Sequence, residues 1–129
     1  MIALAPPVAD AVGAVRIHFA DTPVEVTPDG AGGAFVIITS VDIGPRYSPS
    51  ITWLGFHISA AYPDADTYPH YVGGDLVRVD GRAHGPAIQP VSWQDRPALQ
   101  ISRRSNHRLP GVDNAALKAE RIRRWLADQ

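Results

Sequence analysis

The clearest pattern along the chain is alternation of apolar and polar residues. Ala34–Ile43 (AFVIITSVDI) puts Phe35, Ile37, Val41 and Ile43 on one face and Val36, Ile38, Ser40 and Asp42 on the other. This predicts a strand buried on both sides at its start and solvated at its end. Ile51–Ser59 (ITWLGFHIS) predicts a second, with Leu54, Phe56 and Ile58 facing one way and Trp53, Gly55 and His57 the other. Val15–Ala20 (VRIHFA) alternates Val15, Ile17 and Phe19 with Arg16 and His18, the pattern of a half-buried strand that Thr22–Thr27 continues beyond a bend at Pro23. Asp75–Asp80 (DLVRVD) and Ala98–Ser102 (ALQIS) predict two shorter strands.

Helical periodicity marks the C-terminal end. Ala115, Ala119, Ile122 and Leu126 fall on one stripe, with Leu117 and Trp125 at its margins. Pro110-Gly111 breaks the chain before it, and Asp113 or Asn114 supplies the N-cap. Glu120 and Arg124 stand i,i+4 in the favoured order. Ala5–Ala14 accounts for one or two helical turns after two prolines. Between these elements, Pro28-Asp29-Gly30 with Gly32-Gly33 is a hairpin turn, and Gly44-Pro45 and Ser48-Pro49 mark a loop. Gly81–Pro97 has no period and predicts a long loop, a length that compact domains keep for a purpose. The sum is an α+β fold: about four antiparallel strands in a meander, a short N-terminal helix, and a C-terminal helix packed on the sheet.

One stretch stands apart. Leu54–Val72 (LGFHISAAYPDADTYPHYV) runs from a strand into Tyr62-Pro63 and Tyr68-Pro69, with an acidic spacer between them. Each proline fixes its own φ and excludes helix from the residue before it, so the segment is a stiff corner.

Composition narrows the classes. A chain of 129 residues with 45% hydrophobic and 19% charged residues fits one globular domain. Met1–Gly13 has no basic n-region and no continuous apolar core, so a secretory signal is not expected. No apolar run approaches the roughly 20 residues of a membrane span, and a cytoplasmic address is the default. With no cysteine, disulfides, thiolate metal sites and thiol nucleophiles are excluded. His18, His57, His70, His84 and His107 lack the close spacing of a zinc motif, so neither a metal nor a cofactor is expected. Net charge is −1, but residues 1–95 carry four arginines against ten acids. Residues 96–129 carry seven arginines and one lysine against three acids. Such a split steers an acidic partner to the basic end, or packs that end over the acidic half of its own domain.

The order of elements, with the third strand running into Tyr62-Pro63 and then Pro69, resembles the ubiquitin-conjugating (E2) fold and its catalytically dead and RWD-type relatives. Trp93, beyond Pro69, stands near where E2 proteins place a tryptophan after their active-site loop. The tail ALQISRRSNHRLPGVDNAALKAERIRRWL is similar to the C-terminal part of E2-like proteins of bacterial ubiquitin-like operons. The resemblance implies a protein that meets a ubiquitin-like protein, an E1-like enzyme or a true E2. It also exposes a departure. An E2 carries its cargo as a thioester on cysteine, because a thiolate is both a nucleophile and a good leaving group. Gly81–Trp93 (GRAHGPAIQPVSW) spans the expected position without one, and His84-Gly85-Pro86 is not the His-Pro-Asn of the enzymes. Ala83 and Ala87 mark where a replaced cysteine would stand. The chain as written is therefore expected to be a non-catalytic binding module. Its contact surfaces would be the corner (Asp64, Asp66, Tyr68, His70) and the basic segment (Arg103, Arg104, Arg108). Two alternatives remain: a small enzyme using the Gly81–Trp93 loop with His84 as acid/base, and a nucleic-acid-binding domain using the basic end.

Overall fold

The computed structural model describes residues 4–103 and 114–129. Helix α1 spans Pro6–His18, helix α2 spans Ala115–Ala127, and eight strands lie between them. The strands are β1 (Val24–Pro28), β2 (Ala34–Asp42), β3 (Tyr47–Ser48), β4 (Ile51–Ile58), β5 (His70–Gly73), β6 (Val77–Arg78), β7 (Ile88–Trp93) and β8 (Arg96–Ile101). Six form one antiparallel sheet in the order β1-β2-β4-β5-β8-β7; β3 and β6 pair separately. The α+β class holds, and the first four strands of the sheet follow one another as a meander. The sheet is wider than four strands because a final hairpin adds β8 beside β5 and β7 outside it. Among the described residues, no helix is long and apolar enough to cross a membrane.

Helix α1 replaces an expected strand. Val8, Ala11, Val12 and Val15 are buried at i, i+3, i+4 and i+7, a stripe that outweighs the four-residue alternation at its end. Val15 belongs to that stripe, whereas Ile17 is 80% exposed. Pro6 and Pro7 sit in the first turn, where a missing N–H costs nothing, and Arg16 and His18 in the last turn oppose the macrodipole. Helix α2 starts at Asn114, whose side chain accepts from the Leu117 N–H at 2.9 Å. Its stripe buries Ala115, Ala119, Ile122 and Leu126, and Lys118 with them.

Both helices cover the face of the sheet formed by Val36, Ile38, Leu54, Phe56, Ile58, Val72 and Ile101, all in one buried cluster with α1 and α2. Strand β4 keeps the expected faces. Strand β2 does not. Its register steps from Ile38↔Leu54 to Val41↔Thr52, so one extra residue bulges and reverses the alternation. Val36, Ile38, Val41 and Ile43 therefore share the core side, and Phe35 lies on the other.

The second half of the sheet departs from expectation in two places. The fourth strand is His70–Gly73, directly after Pro69, not Asp75–Asp80; there only Val77–Arg78 is extended, and it pairs with Tyr47–Ser48. Residues 88–93, read as loop, form edge strand β7, where Pro90 is tolerated because an edge leaves one row of N–H groups unused. The two-residue turn Gln94-Asp95 joins β7 to β8, with φ of 50° and 61°. These are type I′ values, usually announced by Asn or Gly and here adopted by neither.

Candidate functional site

The corner and helix α2 are built against each other. Tyr62 is buried, and its Oη accepts the Ala115 N–H at 3.1 Å, satisfying a donor of the helix's first turn. Backbone bonds from Tyr62 N to Ser59 O (3.0 Å) and from Asp64 N to Ala61 O (3.0 Å) fold the segment. Tyr62-Pro63 and Tyr68-Pro69 are both cis, as is Ser48-Pro49. Asp66 Oδ2 lies 2.8 Å from Lys118 Nζ, with the lysine side chain 5% exposed and the carboxylate 22%. Next to this pair stands His70, wholly buried and tilted against Phe56 at 5.2 Å, with neither ring nitrogen hydrogen-bonded. Burial, then the Lys118 cation, pushes the His70 imidazole down to about 3, so the ring is neutral at physiological pH.

Of the sequence-derived contact residues, the structure thus brings Asp66 and His70 together. Asp64 is exposed and Tyr68 half-buried on the same corner. The Arg103 guanidinium lies 4.8 Å over the Trp125 ring. Arg104, His107 and Arg108 lie outside the described residues. Of the helix arginines, Arg123 binds Glu120 (2.6 Å) and the Asp42 carbonyl (2.9 Å), and Arg124 reaches Glu120 at 3.3 Å. Those two cations serve the fold's own carboxylates and carbonyls. Lys118 was missed. It is the chain's single lysine and stands three residues after Ala115 on an otherwise apolar stripe, so the signal was present.

His84 is oriented but poorly placed for acid/base chemistry. Its Nε2 lies 3.0 Å from the Leu76 carbonyl, which fixes the N–H there and leaves the lone pair on Nδ1. That Nδ1 is buried without a partner, and the ring stacks on buried Tyr47 at 6.1 Å. A general base must reach the proton it takes, and this lone pair faces the interior.

The outer face of the sheet carries the feature the sequence reading did not find. Trp93 crosses from the tip of the β7–β8 hairpin to lie over Gly55 of β4, stacked on Tyr71 at 4.4 Å and on Trp53 at 5.9 Å. Phe35 meets its edge at 6.4 Å and stacks on His57 at 4.6 Å. Gly55 makes room for this ring, since a Cβ there would stand 2.3 Å from Trp93 Cζ3. Arg96 lies over the Trp53 ring at 5.2 Å. Beside this cluster an open groove of about 720 Å³ runs between the hairpin turn and the ends of β4 and β5. His57 is also tied at its polar end: Nε2 is 2.7 Å from Asp29 Oδ2, while Asp29 Oδ1 accepts the Ala31 and Gly33 N–H groups of the β1–β2 turn. The His57 bond, then the turn amides, hold the Asp29 carboxyl below its usual range.

Among the described residues, no group of three or more histidine, aspartate and glutamate side chains is arranged to hold a metal ion. Comparison with protein-family models, with curated proteins and with solved structures finds no match.

Proposed function

We propose that this chain is an E2-like, non-catalytic binding module of a bacterial ubiquitin-like conjugation pathway, whose partner is a ubiquitin-like protein. The observation that carries the reading is the place of the Tyr-Pro corner. It links the third and fourth strands of a meander, β4 and β5, and is pinned to the C-terminal helix through Tyr62 and Asp66. An E2-like chain would hold its corner in this position, between an N-terminal helix and a C-terminal helix on one face of the sheet. Thioester transfer is unavailable because the sequence contains no cysteine, and a serine ester would be a far poorer acyl carrier. What remains is recognition, with the exposed Asp64 and the exposed Arg103 as the charged contacts.

The test is titration calorimetry against a ubiquitin-like protein and an E1-like enzyme of a bacterial ubiquitin-like operon. Binding in the micromolar range is expected for the ubiquitin-like protein, about −8 kcal/mol. Charge reversal at Asp64→Lys or Arg103→Glu should weaken it about fivefold or more, mostly through the association rate. No heat with either partner would overturn the proposal.

A further inference from the structure

The outer groove is lined by Thr52, Trp53, Gly73, Asp75, Asp95 and Arg96, among others. Its charged groups are uncommitted. Among the described residues, the side chains of Asp75, Asp95 and Arg96 form no hydrogen bond or ion pair with the protein; the Arg96 head lies over the ring of Trp53. Trp53 Nε1–H likewise has no acceptor among the described residues, and Nε1 stands 3.5 Å from where a Cβ of Gly73 would be. The same Cβ position is 2.7 Å from Asp75 Oδ1 and from Thr52 Oγ1, which already accepts the Gly73 N–H at 3.0 Å, so only glycine fits beneath these groups. Gly74, next along, is exposed, with Pro97 and Ala98 packed against its Cα.

We propose that this groove binds an extended peptide segment carrying both an acidic and a basic side chain. The carboxylate takes the Arg96 guanidinium and the Trp53 Nε1–H; the cation takes Asp75 and Asp95.

Four features select this ligand. The walls hold one cation and two anions, so a dipolar segment is matched where a polyanion is repelled; that disfavours nucleic acid. Arg96 has its guanidinium over an aromatic ring and its N–H fork without an acceptor among the described residues, so the fork is available to a carboxylate. The Trp53 ring is in contact with Arg96 and Trp93, so it serves as a wall rather than a platform for a sugar. The groove is an open trough that admits a passing backbone, whereas small-molecule sites enclose most of their ligand. The groove lies on the opposite side of the sheet from the α2-bound corner, so this proposal stands or falls independently of the one above.

The experiment follows the Trp53 indole resonance by NMR during titration with the blocked peptide Ac-Lys-Gly-Glu-Gly-NH2, to about 10 mM because so short a segment binds weakly. Assignment comes from Trp53→Phe. The expected result is a saturable shift that weakens about fivefold or more when the peptide's Glu or Lys is replaced by Gln. Arg96→Gln should abolish the advantage of the Glu peptide over its Gln form while leaving the advantage of Lys. Asp75→Asn should do the reverse, a pairing that mere structural damage does not produce. Folding of each variant is checked on the same spectra. No shift with the charged peptide, equal shifts with all three peptides, or a shift only with chitotriose or oligothymidine would overturn the proposal.

Discussion

Substituting Gly55 by alanine tests whether the hairpin is anchored by Trp93. The added Cβ would lie 2.3 Å from Trp93 Cζ3, 2.7 Å from Trp93 Cη2 and 3.1 Å from Trp53 Cζ3. A carbon pair needs about 3.5 Å or more, so the Trp93 ring must rise by roughly 1 Å or leave its place between Tyr71 and Trp53. Overpacking of this kind costs about 1–3 kcal/mol. Loss of the stacked contacts adds about 0.5–1.5 kcal/mol per ring pair. Gly55→Ala should therefore destabilise by about 2–3 kcal/mol, although alanine in a strand interior is intrinsically better than glycine by roughly 0.5–1 kcal/mol. In a Trp93→Ala background the obstruction is gone, and the same substitution should become neutral or stabilising. The coupling, read from urea unfolding by far-ultraviolet circular dichroism, is thus expected to reach about 2 kcal/mol or more. Additive effects within about 0.5 kcal/mol would refute the anchoring of the hairpin on Gly55.

The buried pair gives an asymmetric result: Asp66→Ala removes the carboxylate 2.8 Å from a lysine that is 5% exposed and should cost about 3 kcal/mol or more, whereas the double change with Lys118→Met should recover most of that loss in denaturant titration. His70 has its folded value depressed, so its contribution is fully present above the ordinary value of 6.5 and is lost as pH falls toward about 3. Stability should drop by up to about 1.4 kcal/mol per pH unit in that window, and His70→Leu should flatten the drop. Asp29→Ala removes the acceptor of the Ala31 and Gly33 amides, so hydrogen exchange should accelerate at those two positions and leave the β4–β5 ladder unchanged.

The strands with one buried face were legible, because Leu54, Phe56 and Ile58 alternate with Trp53, Gly55 and His57 and nothing interrupts the period. Helix α2 was legible for the same reason, with Asn114 capping it and Lys118 the one anomaly in its stripe. The errors arose where local pattern is shorter than the tertiary cause. Strand-like VRIHFA is the end of a helix whose stripe begins at Val8. The bulge after Ile38 is set by pairing with β4, and no residue in β2 announces it. Strand β7 hid behind Pro86 and Pro90 and a turn of Gln94-Asp95, whose left-handed φ values are imposed by the hairpin. The candidate groove depends on that hairpin. Gly55, Gly73, Trp53, Trp93 and Arg96 come together only through strand order, and no spacing in the sequence relates them.

How the sheet can meet a partner follows from its edges. Strand β1 is flanked by Pro23 and ends at Pro28, and β7 has Pro90 at its middle, so both outer strands lack donors that an added strand would need. Recognition by strand addition is thereby disfavoured at either side. One face of the sheet is already spent on α1 and α2, which share its buried cluster. Side-chain surfaces are left: the corner beside α2, and the outer face with its aromatic cluster and groove. On the outer face, Trp93 closes the gap above Gly55, while Arg96, one turn away in the same hairpin, keeps its charge unpaired. A hairpin that served packing alone would need the tryptophan and would gain nothing from an uncommitted guanidinium lining one groove with two uncommitted carboxylates.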